Sequence, residues 1–576
     1  MKQLTIVFSL IALSIGCAAA ETSTLVPEPV QAEIQRRLDA DKYTGLAIGI
    51  VDSDGTHYCF YGKKQQDPPD PPDADTMYEI GSITKVFTAI LLADQCRRTD
   101  LTLDDPIRKY LPPGTSVPTR NGKEITLKHL VTHTSGLPRM PDNFKPADPR
   151  NPFADYSTEM MLAFLSNCTL ERDIGAEVAY SNFGVGLLGY ILEQVTGQSY
   201  ETLVKERITG PLGMTHTGIH LSPEMKKSLA PGYAYGMAVP NWDIVSLAGA
   251  GALRSSVRDM CRFIAANMGL YETDLLPILQ QTHQPVKALP IPDMEVGLAW
   301  HIRSKDDVRV IWHNGGTGGY RSFAGFLAGG NRGVVVLGNS AESVDDIGFH
   351  LLFSGFELKE TQPAASVTLK KYMAEKPPAD AIAAFKTFWE THKEALEYSE
   401  HRINLLGYRY MENGEMDKAL AVFQLNTEMS PDSANVWDSL GEAWKNKGQK
   451  EKSIAAYTEA LKRNPKMASA RKMLTELGVN PDDVIPKVTV PAEILKKYVG
   501  EYELAPGFTI TIRLEGDQLI QQATGQDAYP IFPASETRFY LKVVDAQMAF
   551  HTDDTGAVTG MTLYQGGQEL PGKKIK

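Results

Sequence analysis

Residues 78–92 read YEIGSITKVFTAILL, and they place a serine and a lysine at the start of a helix. A glycine turn precedes Ser82, and Lys85 follows Ser82 by three positions. Because residues three apart share one helix face, the Lys85 amine is within reach of the Ser82 hydroxyl. A neighbouring base activates a serine nucleophile, and backbone N–H groups at a helix start stabilise an oxyanion. The stretch is therefore suited to acyl transfer.

The Ser-x-x-Lys spacing alone is weak support, since roughly one to three matches arise by chance in a chain of this length. The alternative is an ordinary helix start with an exposed lysine. Helical periodicity continues from residue 84 through residue 92 and predicts an amphipathic helix. The apolar residues of its expected buried face are Ile83, Val86, Phe87, Ile90 and Leu91.

Length and charge narrow the class of protein. A chain of 576 residues predicts about three or four domains. Acidic residues outnumber basic ones by 70 to 58, which gives a net charge of -12. The chain has no Lys/Arg-rich run, so this balance argues against a nucleic-acid partner and against an anionic membrane surface.

Residues 1–20, MKQLTIVFSLIALSIGCAAA, have the pattern of a secretory signal: an early lysine, an apolar run and small residues at the end. We expect cleavage before Glu21 and export to a bacterial periplasm. The alternative is a lipid anchor at Cys17, although Ser14 occupies a position where such signals usually carry a large aliphatic residue. No later apolar run reaches the ~18 residues of a membrane span, so no transmembrane segment is expected in the mature chain.

The cysteines after the signal are few and scattered, and none has C-x-x-C spacing. They are Cys59, Cys96, Cys168 and Cys261. Neither a disulfide framework nor a zinc site is indicated. Buried free thiols are favoured over a single disulfide, which export permits but does not require.

Two further segments carry polar residues of interest. Residues 125–138, ITLKHLVTHTSGLP, predict a short helix with a Gly-Leu-Pro stop. Its His129, His133 and Ser135 suggest a catalytic or metal role, but no acidic third ligand is near in sequence, so structural hydrogen bonding is favoured.

The second segment, Tyr180-Ser181-Asn182, opens another helix, in which Ser181 or Asn182 is suited to be the N-cap. Capping accounts for these two residues but not for the adjacent tyrosine. Residues 211–292, which follow, carry no separate chemical signal.

Residues 297–340 change to strand periodicity. The runs GLAWHIR, DVRVIWHNGG, SFAGFLAGG and VVVLGNS predict antiparallel strands joined by tight turns, and the second run ends at His313-Asn314-Gly315-Gly316. Residues 45–63 predict a hairpin that turns at Asp54-Gly55. A sheet built from both ends of residues 25–355, with helices between them, predicts an α+β core with its site at the junction.

The remainder of the chain predicts three further parts. Residues 356–380 are polar and predict a linker. Residues 381–478 contain a 34-residue repeat that resembles tetratricopeptide repeats, with added helices at 381–400 and 467–476. The matched pairs of the repeat are Leu406 and Leu440, Gly407 and Gly441, Gly414 and Gly448, Phe423 and Tyr457, and Pro431 and Pro465.

Such repeats either bind a protein partner or pack between flanking domains. After a second linker at 481–491, residues 490–576 alternate like strands and predict a small antiparallel β-domain that resembles a barrel. A packed interior is the default for a barrel of this size.

Three motifs in order carry a resemblance to a known family. They are Ser82-x-x-Lys85, Tyr180-x-Asn182 and His313-x-Gly315. The set resembles the penicillin-recognising serine hydrolases, in the class C β-lactamase-like branch that includes D,D-peptidases, D-aminopeptidases and esterases. The resemblance covers residues 25–355.

The resemblance implies the catalytic roles. Ser82 is the expected nucleophile that forms an acyl-enzyme, and Lys85 is expected to lower the pKa of the attacking hydroxyl. Tyr180 is expected to share the proton shuttle, and the choice of base between Lys85 and Tyr180 stays open. We expect the clustering of Lys85, Tyr180 and His313 to lower the pKa of both the phenol and the amine.

The resemblance also implies the binding residues. Asn182 is expected to hydrogen-bond the substrate amide, and the N–H groups of Ser82 and Gly316 to form the oxyanion hole. His313 takes the place of the third-motif cation, where class C β-lactamases usually carry lysine, and histidine is mostly neutral at pH 7. Arg321, which follows the motif, is the alternative cation for a substrate carboxylate.

The expected function is an exported, metal-independent and cofactor-independent serine hydrolase. Its substrate is a small molecule or peptide with an amide or ester bond, such as a D-amino-acid peptide or a small ester. One alternative is a true class C-type β-lactamase. The other is a non-catalytic envelope binding or scaffold protein.

Overall fold

The computed structural model divides the chain into two compact units, residues 1–363 and 364–576. The structure describes residues 25–66, 68–234, 236–485, 489–505, 508–541, 543–544, 546–553, 555–565 and 568–576. The predicted secretory signal at 1–20, with Cys17, lies outside the described residues.

The first unit is built on an antiparallel sheet, which has eight strands among the described residues. Its first and last parts come from opposite ends of the unit, since Ile48 pairs with Val336. The predicted sheet from both ends of residues 25–355 is therefore confirmed. In spatial order the strands are Gly55–Gly62, Gly45–Asp52, Gly333–Gly338, Arg321–Leu327, Val308–Gly316, His301–Lys305, Met294–Val296 and Lys287–Ala288.

The central strands are apolar on both faces because helices cover both sides of the sheet. Gly45–Asp52 and Gly333–Gly338 are buried almost throughout. Helix Val257–Met268 packs on one face, and helices Glu28–Asp39 and Asp345–Leu352 contribute to the core on the other. Burial of both faces accounts for the continuous valine and isoleucine runs of these strands.

Helices and small sheets fill the middle of the first unit. In one small sheet the strand Arg254–Ser256 pairs with Met77–Glu79 and with Thr217–Gly218. In another, Gly232–Ala234 pairs with Met237–Val239. The remaining helices are Thr84–Arg98, Leu127–Val131, Thr158–Asn167, Asn182–Thr196, Tyr200–Val204, Pro223–Ser228, Ala248–Gly251 and Leu276–Thr282, with 3-10 turns Gly81–Ile83 and Ile107–Tyr110 and a π-turn Lys205–Thr209.

One sequence prediction in this region was wrong, and another was right only in part. Helix Thr84–Arg98 is not amphipathic, because every residue from its start to Asp94 is buried and neighbours surround it. The predicted helix over residues 125–138 is confined to Leu127–Val131. The chain then leaves the helical region, since His133 and Gly136 adopt positive φ angles of 58° and 78°.

The second unit begins with helices. Helix Ala365–Glu375 lies inside the stretch predicted as a linker, because Ala365, Leu369 and Met373 form an apolar stripe that is buried. The predicted helix 381–400 is divided, since Pro378–His392 ends in a 3-10 turn and Ser399 caps a new helix. The other helices are Glu400–Glu412, Met416–Met429, Ala434–Asn446, Lys450–Arg463, Ala468–Glu476 and Pro481–Val484.

The 34-residue repeat is confirmed in its packing. A Cβ atom added to Gly407 would lie 2.6 Å from the Phe423 ring, and one added to Gly441 would lie 2.8 Å from the Tyr457 ring. In both copies the glycine thus lets the aromatic ring of the following helix pack directly on the backbone. The first helix of each copy ends at a left-handed glycine, Gly414 or Gly448.

A closed antiparallel barrel ends the chain, as the strand pattern predicted. Its core is packed with apolar side chains. Helix Ala492–Tyr498 precedes it, and three of its strands were not predicted: Gly500–Ala505, Ala528–Pro533 and Gln568–Lys574. The others are Phe508–Glu515, Gln518–Ala523, Arg538–Leu541, Ala546–Thr552 and Val558–Gln565.

Among the described residues, Cys96, Cys168 and Cys261 are free thiols, as predicted. Only Cys261 is fully buried, so the prediction of burial was wrong for the other three, Cys59, Cys96 and Cys168. Across the described ranges, no helix is both long enough and apolar enough to cross a bilayer.

Candidate active site

Ser82 lies in a tight turn between a short strand and a buried helix. The 3-10 turn Gly81–Ile83 contains it, and helix Thr84–Arg98 follows directly. Gly81 has a φ of +50°, and a Cβ atom there would lie 2.7 Å from the Gly316 nitrogen. Glycine is therefore needed at this position, both for the backbone angle and for the approach of the neighbouring strand.

The Lys85 amine contacts the Ser82 hydroxyl, as the i, i+3 spacing predicted. Nζ lies 2.9 Å from Ser82 Oγ and 2.6 Å from the Ala250 carbonyl oxygen. The side chain is fully buried. Burial holds the pKa of Lys85 well below its ordinary value, and the positive charge of Arg139 adds to the effect. A neutral amine can donate to Ala250 and still accept the serine proton.

Tyr180 lies over the same amine. Lys85 Nζ is 4.9 Å from the centre of the phenol ring. Burial raises the pKa of Tyr180 to about 12, against the opposing effects of a hydrogen bond with Ser82 and of Arg139. The prediction that clustering lowers the phenol pKa was therefore wrong, because the loss of hydration outweighs the nearby positive charge. The phenol is protonated at neutral pH.

His133 fixes the turn that carries Tyr180. Its carbonyl accepts the N–H of Ala179 at 2.8 Å, and its Nδ1 accepts the N–H of Ser181 at 3.1 Å. Its ring lies 4.4 Å from the Tyr180 ring, centre to centre. The structural hydrogen bonding expected for His133 is thus present, and it positions a residue of the site.

The other polar residues of this neighbourhood are also placed by hydrogen bonds. Ser181 is the N-cap of helix Asn182–Thr196, since its side chain accepts the N–H of Gly184. Asn182 is the first helical residue, with Nδ2 3.6 Å from the Met140 sulfur. His129 forms a capping box with Thr126. In the described stretches, no cluster of three or more His, Cys, Asp or Glu side chains is arranged to hold a metal.

His313 and His301 lie on neighbouring strands beside Tyr180. Their ring centres are 4.9 Å apart, and each is just over 6 Å from the Tyr180 ring. His313 is fully buried, and its Nδ1 lies 2.6 Å from the Asn314 carbonyl oxygen. Burial, with the nearby charges, holds the pKa of His313 well below its ordinary value and lowers that of His301 to about 4. Both rings are neutral at pH 7.

The end of strand Val308–Gly316 packs directly on the Ser82 turn. A Cβ atom on Gly315 would lie 1.9 Å from the Ile80 carbonyl oxygen, and the Ser322 hydroxyl donates to that same oxygen at 2.9 Å. Only glycine at position 315 permits this approach. The contact brings Gly316 next to the turn that carries Ser82.

The two arginines nearest the site differ in their surroundings. Arg321 Nη1 donates to the carbonyls of Thr317 at 2.7 Å and Tyr320 at 2.8 Å, so its guanidinium helps hold the turn after Gly316. The Arg139 guanidinium lies 5.0 Å from the centre of the Tyr180 ring, and this side chain is exposed.

Sequence reasoning missed four contributors to the site. Ala250 acts through its backbone carbonyl, which every residue type has, so the residue type does not indicate this role. His301 and Arg139 belong to no motif and reach the site only through the fold. His133 was singled out in the sequence, but its contact with the Tyr180 turn spans more than forty residues and was not foreseen.

The chain matches known protein families in three regions. A family model described as beta-lactamase matches residues 30–351, which is more than half of the chain. The chain belongs to the beta-lactamase family. Models described as a tetratricopeptide repeat and as a domain of unknown function, DUF3471, match residues 434–467 and 485–574. The resemblance carried by the three motifs is confirmed.

Relatives within this family match more than half of the chain. The D-alanyl-D-alanine-carboxypeptidase/endopeptidase AmpH of Escherichia coli K12 is 30% identical, over 57% of this chain and 90% of its own length. A beta-lactamase of the same strain is 27% identical, over 57% of this chain and 92% of its own length. These beta-lactamase-family relatives are serine hydrolases, and this chain is an enzyme of the same class.

A solved structure shares the fold. The beta-lactamase/D-alanine carboxypeptidase from Pseudomonas syringae matches with a TM-score of 0.50 and 23% identity, over 58% of this chain and 99% of that chain. The fold predicted for the first unit is confirmed.

Proposed function

We propose that this beta-lactamase-family enzyme cleaves an amide or ester bond through an acyl-enzyme on Ser82, with Lys85 as the base. The observation that carries the proposal is the 2.9 Å contact between the buried Lys85 amine and the Ser82 hydroxyl. A lysine with a lowered pKa is largely a free amine near neutral pH, and a free amine can accept the serine proton.

The acylation step is a proton transfer coupled to attack. Ser82 Oγ bonds to the substrate carbonyl carbon as its proton passes to Lys85 Nζ, and the N–H groups of Ser82 and Gly316 bind the oxyanion. The protonated Tyr180 phenol, which lies against both groups, delivers a proton to the leaving amine or alcohol. It regains a proton from Lys85, which restores the free amine.

The acyl-enzyme is then hydrolysed. Lys85, again neutral, takes a proton from water as the water oxygen attacks the ester carbonyl, and Ser82 leaves with a proton. In this proposal Asn182, the first residue of its helix, hydrogen-bonds the substrate amide. His313 and Gly315 shape the facing strand that lies along the substrate.

D-amino-acid peptides and small esters are the proposed substrates, in preference to β-lactams. The E. coli relative at 30% identity is named as a D-alanyl-D-alanine carboxypeptidase/endopeptidase. The third motif here supplies a neutral, buried imidazole in place of a cation for the β-lactam carboxylate. The second candidate is a class C-type β-lactamase, which the 27% identical relative of that name favours.

Turnover of three substrate types separates these functions. We expect purified full-length protein to hydrolyse a peptide ending in D-Ala-D-Ala or a small aryl ester at least about tenfold faster, in kcat/KM, than a chromogenic cephalosporin. Ser82→Ala is the control and should remove the activity. A cephalosporin hydrolysed fastest would establish the β-lactamase candidate. Turnover that survives Ser82→Ala would refute the proposed nucleophile.

The cellular location and the roles of the repeats and the C-terminal domain are also proposals. The signal pattern at residues 1–20 supports export to the periplasm, with a lipid anchor at Cys17 as the alternative. The repeats at 381–478, which follow the hydrolase domain at 25–355 and its linker, are proposed to offer a surface to a protein partner. Residues 490–576 are proposed to form an accessory domain that follows the repeats.

A further inference from the structure

A cavity of about 840 Å³ opens beside the candidate active site. Tyr180 forms part of its wall, and the turn from Gly136 to Asn143 and helix Thr158–Asn167 supply most of the remainder. Its volume lies in the range of cavities that hold small molecules. A substrate bound at Ser82 therefore has room to extend past Tyr180 into this space.

Arg139 lies both on the cavity wall and near the ring of Tyr180. Its guanidinium lines the cavity and also lies 5.0 Å from the centre of the Tyr180 ring, while Lys85 Nζ lies 4.9 Å from the same centre. Both groups therefore lie close to the same phenol ring. The positive charge of Arg139 also contributes to the lowered pKa of Lys85, after the larger effect of burial.

The backbone of Arg139 is held in place while its side chain is not. The Arg139 carbonyl accepts the N–H groups of Asn182 at 3.0 Å and Phe183 at 3.2 Å, so its Cα position is tied to the helix that follows Tyr180. Within the described residues, the guanidinium makes no hydrogen bond or ion pair, and its one cation–π contact is with the Tyr180 ring. It is available to a ligand.

The other positively charged or basic groups nearby are engaged or neutral. Arg172, on the same cavity wall, donates to the Leu137 carbonyl at 3.3 Å and lies 3.4 Å from the Glu177 carboxylate. Arg321 donates to backbone carbonyls. His313, in the place of the third-motif cation, is buried and neutral. Arg139 is therefore the cation best placed to meet a substrate anion.

Carboxylates also line the cavity. Asp142 and Glu171 are exposed there and bring negative charge to the wall. A ligand group with several negative charges would be repelled by them. A single carboxylate near Arg139 fits this charge distribution, and a neighbouring ammonium group would meet Asp142 or Glu171.

We propose that the cavity beside Tyr180 is a substrate subsite in which Arg139 binds a carboxylate. The enzyme therefore prefers amide or ester substrates that carry one negative charge on the portion bound in this cavity. This inference rests on the proposed function, because it assumes acylation at Ser82. Arg139 is a specificity-determining residue in this proposal. A guanidinium and a carboxylate form charge-assisted hydrogen bonds that are stronger than neutral ones.

Matched ester pairs test the proposal. One pair is 4-nitrophenyl hydrogen glutarate and its neutral methyl ester, which carry the charge on the acyl group. The other is 3-carboxyphenyl acetate and 3-carbamoylphenyl acetate, which carry it on the leaving group. We expect kcat/KM to favour the charged member of one pair by about tenfold after correction for the uncatalysed rate.

The variants are Arg139→Gln, Arg139→Lys and the exposed control Lys145→Gln. Arg139→Gln should reduce the charged-to-neutral ratio about tenfold, Arg139→Lys should keep part of it, and Lys145→Gln should keep all of it. The wild-type ratio should also fall at 1 M salt, because an exposed cation is screened.

The outcomes separate this inference from the proposed function. A charged-to-neutral ratio near one for both pairs in the wild type, or an equal ratio in wild type and Arg139→Gln, would overturn the role of Arg139 while leaving Ser82-dependent hydrolysis intact. If neither member of either pair is hydrolysed in a way that depends on Ser82, both the subsite and the proposed function are overturned. A ratio that falls about tenfold in Arg139→Gln, falls less in Arg139→Lys and is unchanged in Lys145→Gln supports the subsite.

Discussion

Replacing Lys85 with methionine is expected to slow acylation of Ser82 by about 10²- to 10⁴-fold, the usual contribution of a positioned general base. Methionine fills similar buried space but cannot accept the serine proton. The measurement is the rate at which a fluorophosphonate or an activated ester modifies the protein, followed by time-resolved mass spectrometry.

The control for this change is Lys145→Met, which removes an exposed lysine outside the site and should leave the acylation rate unchanged. Tyr180→Phe gives the contrast with the other candidate base. If Lys85→Met acylates within about threefold of wild type while Tyr180→Phe does not acylate, the phenol and not the amine is the base.

The pH dependence of acylation has a definite sign under this mechanism. As the pH falls through the lowered pKa of Lys85, the amine gains a proton and can no longer take one from Ser82, so the rate falls on the acid side. On the basic side the rate should reach a plateau well below pH 10.5, the ordinary lysine value. A phenolate base would instead give a continued rise towards the Tyr180 pKa of about 12.

Gly315→Ala is expected to lower kcat/KM by more than about 10²-fold. The new methyl group would lie 1.9 Å from the Ile80 carbonyl oxygen, so the strand must move away from the Ser82 turn. A displacement of about 1 Å in a catalytic arrangement is enough for a loss of that size. Overpacking should also lower the free energy of unfolding by about 1–3 kcal/mol. Hydrolysis of the best ester and urea unfolding measure the two effects.

Gly316→Ala is the matched control, one residue further along the same strand. Its added methyl group would meet the end of the flexible Arg321 side chain at 3.1 Å, and the backbone N–H is retained. We therefore expect a much smaller loss of activity than for Gly315→Ala. Equal losses in the two variants would show that the close approach of Gly315 to Ile80 is not what matters.

The fold was largely predictable because its signals are local or periodic. The Asp54-Gly55 turn marked the first hairpin, valine runs marked the buried strands, and the 34-residue repeat fixed its own helices. The predictions failed where tertiary contacts decide the outcome. Helix Thr84–Arg98 is buried on all sides as far as Asp94, and helix Ala365–Glu375 lies in a stretch whose overall polarity hid its apolar stripe.

The candidate site was predictable only where residue type carries the chemistry. Ser82, Lys85 and Tyr180 stand in ordered motifs, and the structure brings them into contact. The Ala250 carbonyl and the backbone links from His133 depend on the path of the chain, which residue identity does not encode. The pKa of Tyr180 was predicted with the wrong sign, because burial cannot be weighed against charge before the packing is known.

The most direct test of the central claim is the intact mass of the full-length protein and its Ser82→Ala variant after exposure to a fluorophosphonate and, separately, to a penicillin. An activated Ser82 predicts one added adduct in the wild-type protein with at least one of the two reagents and none in the variant. Equal labelling of both proteins, or no adduct with either reagent, would contradict it.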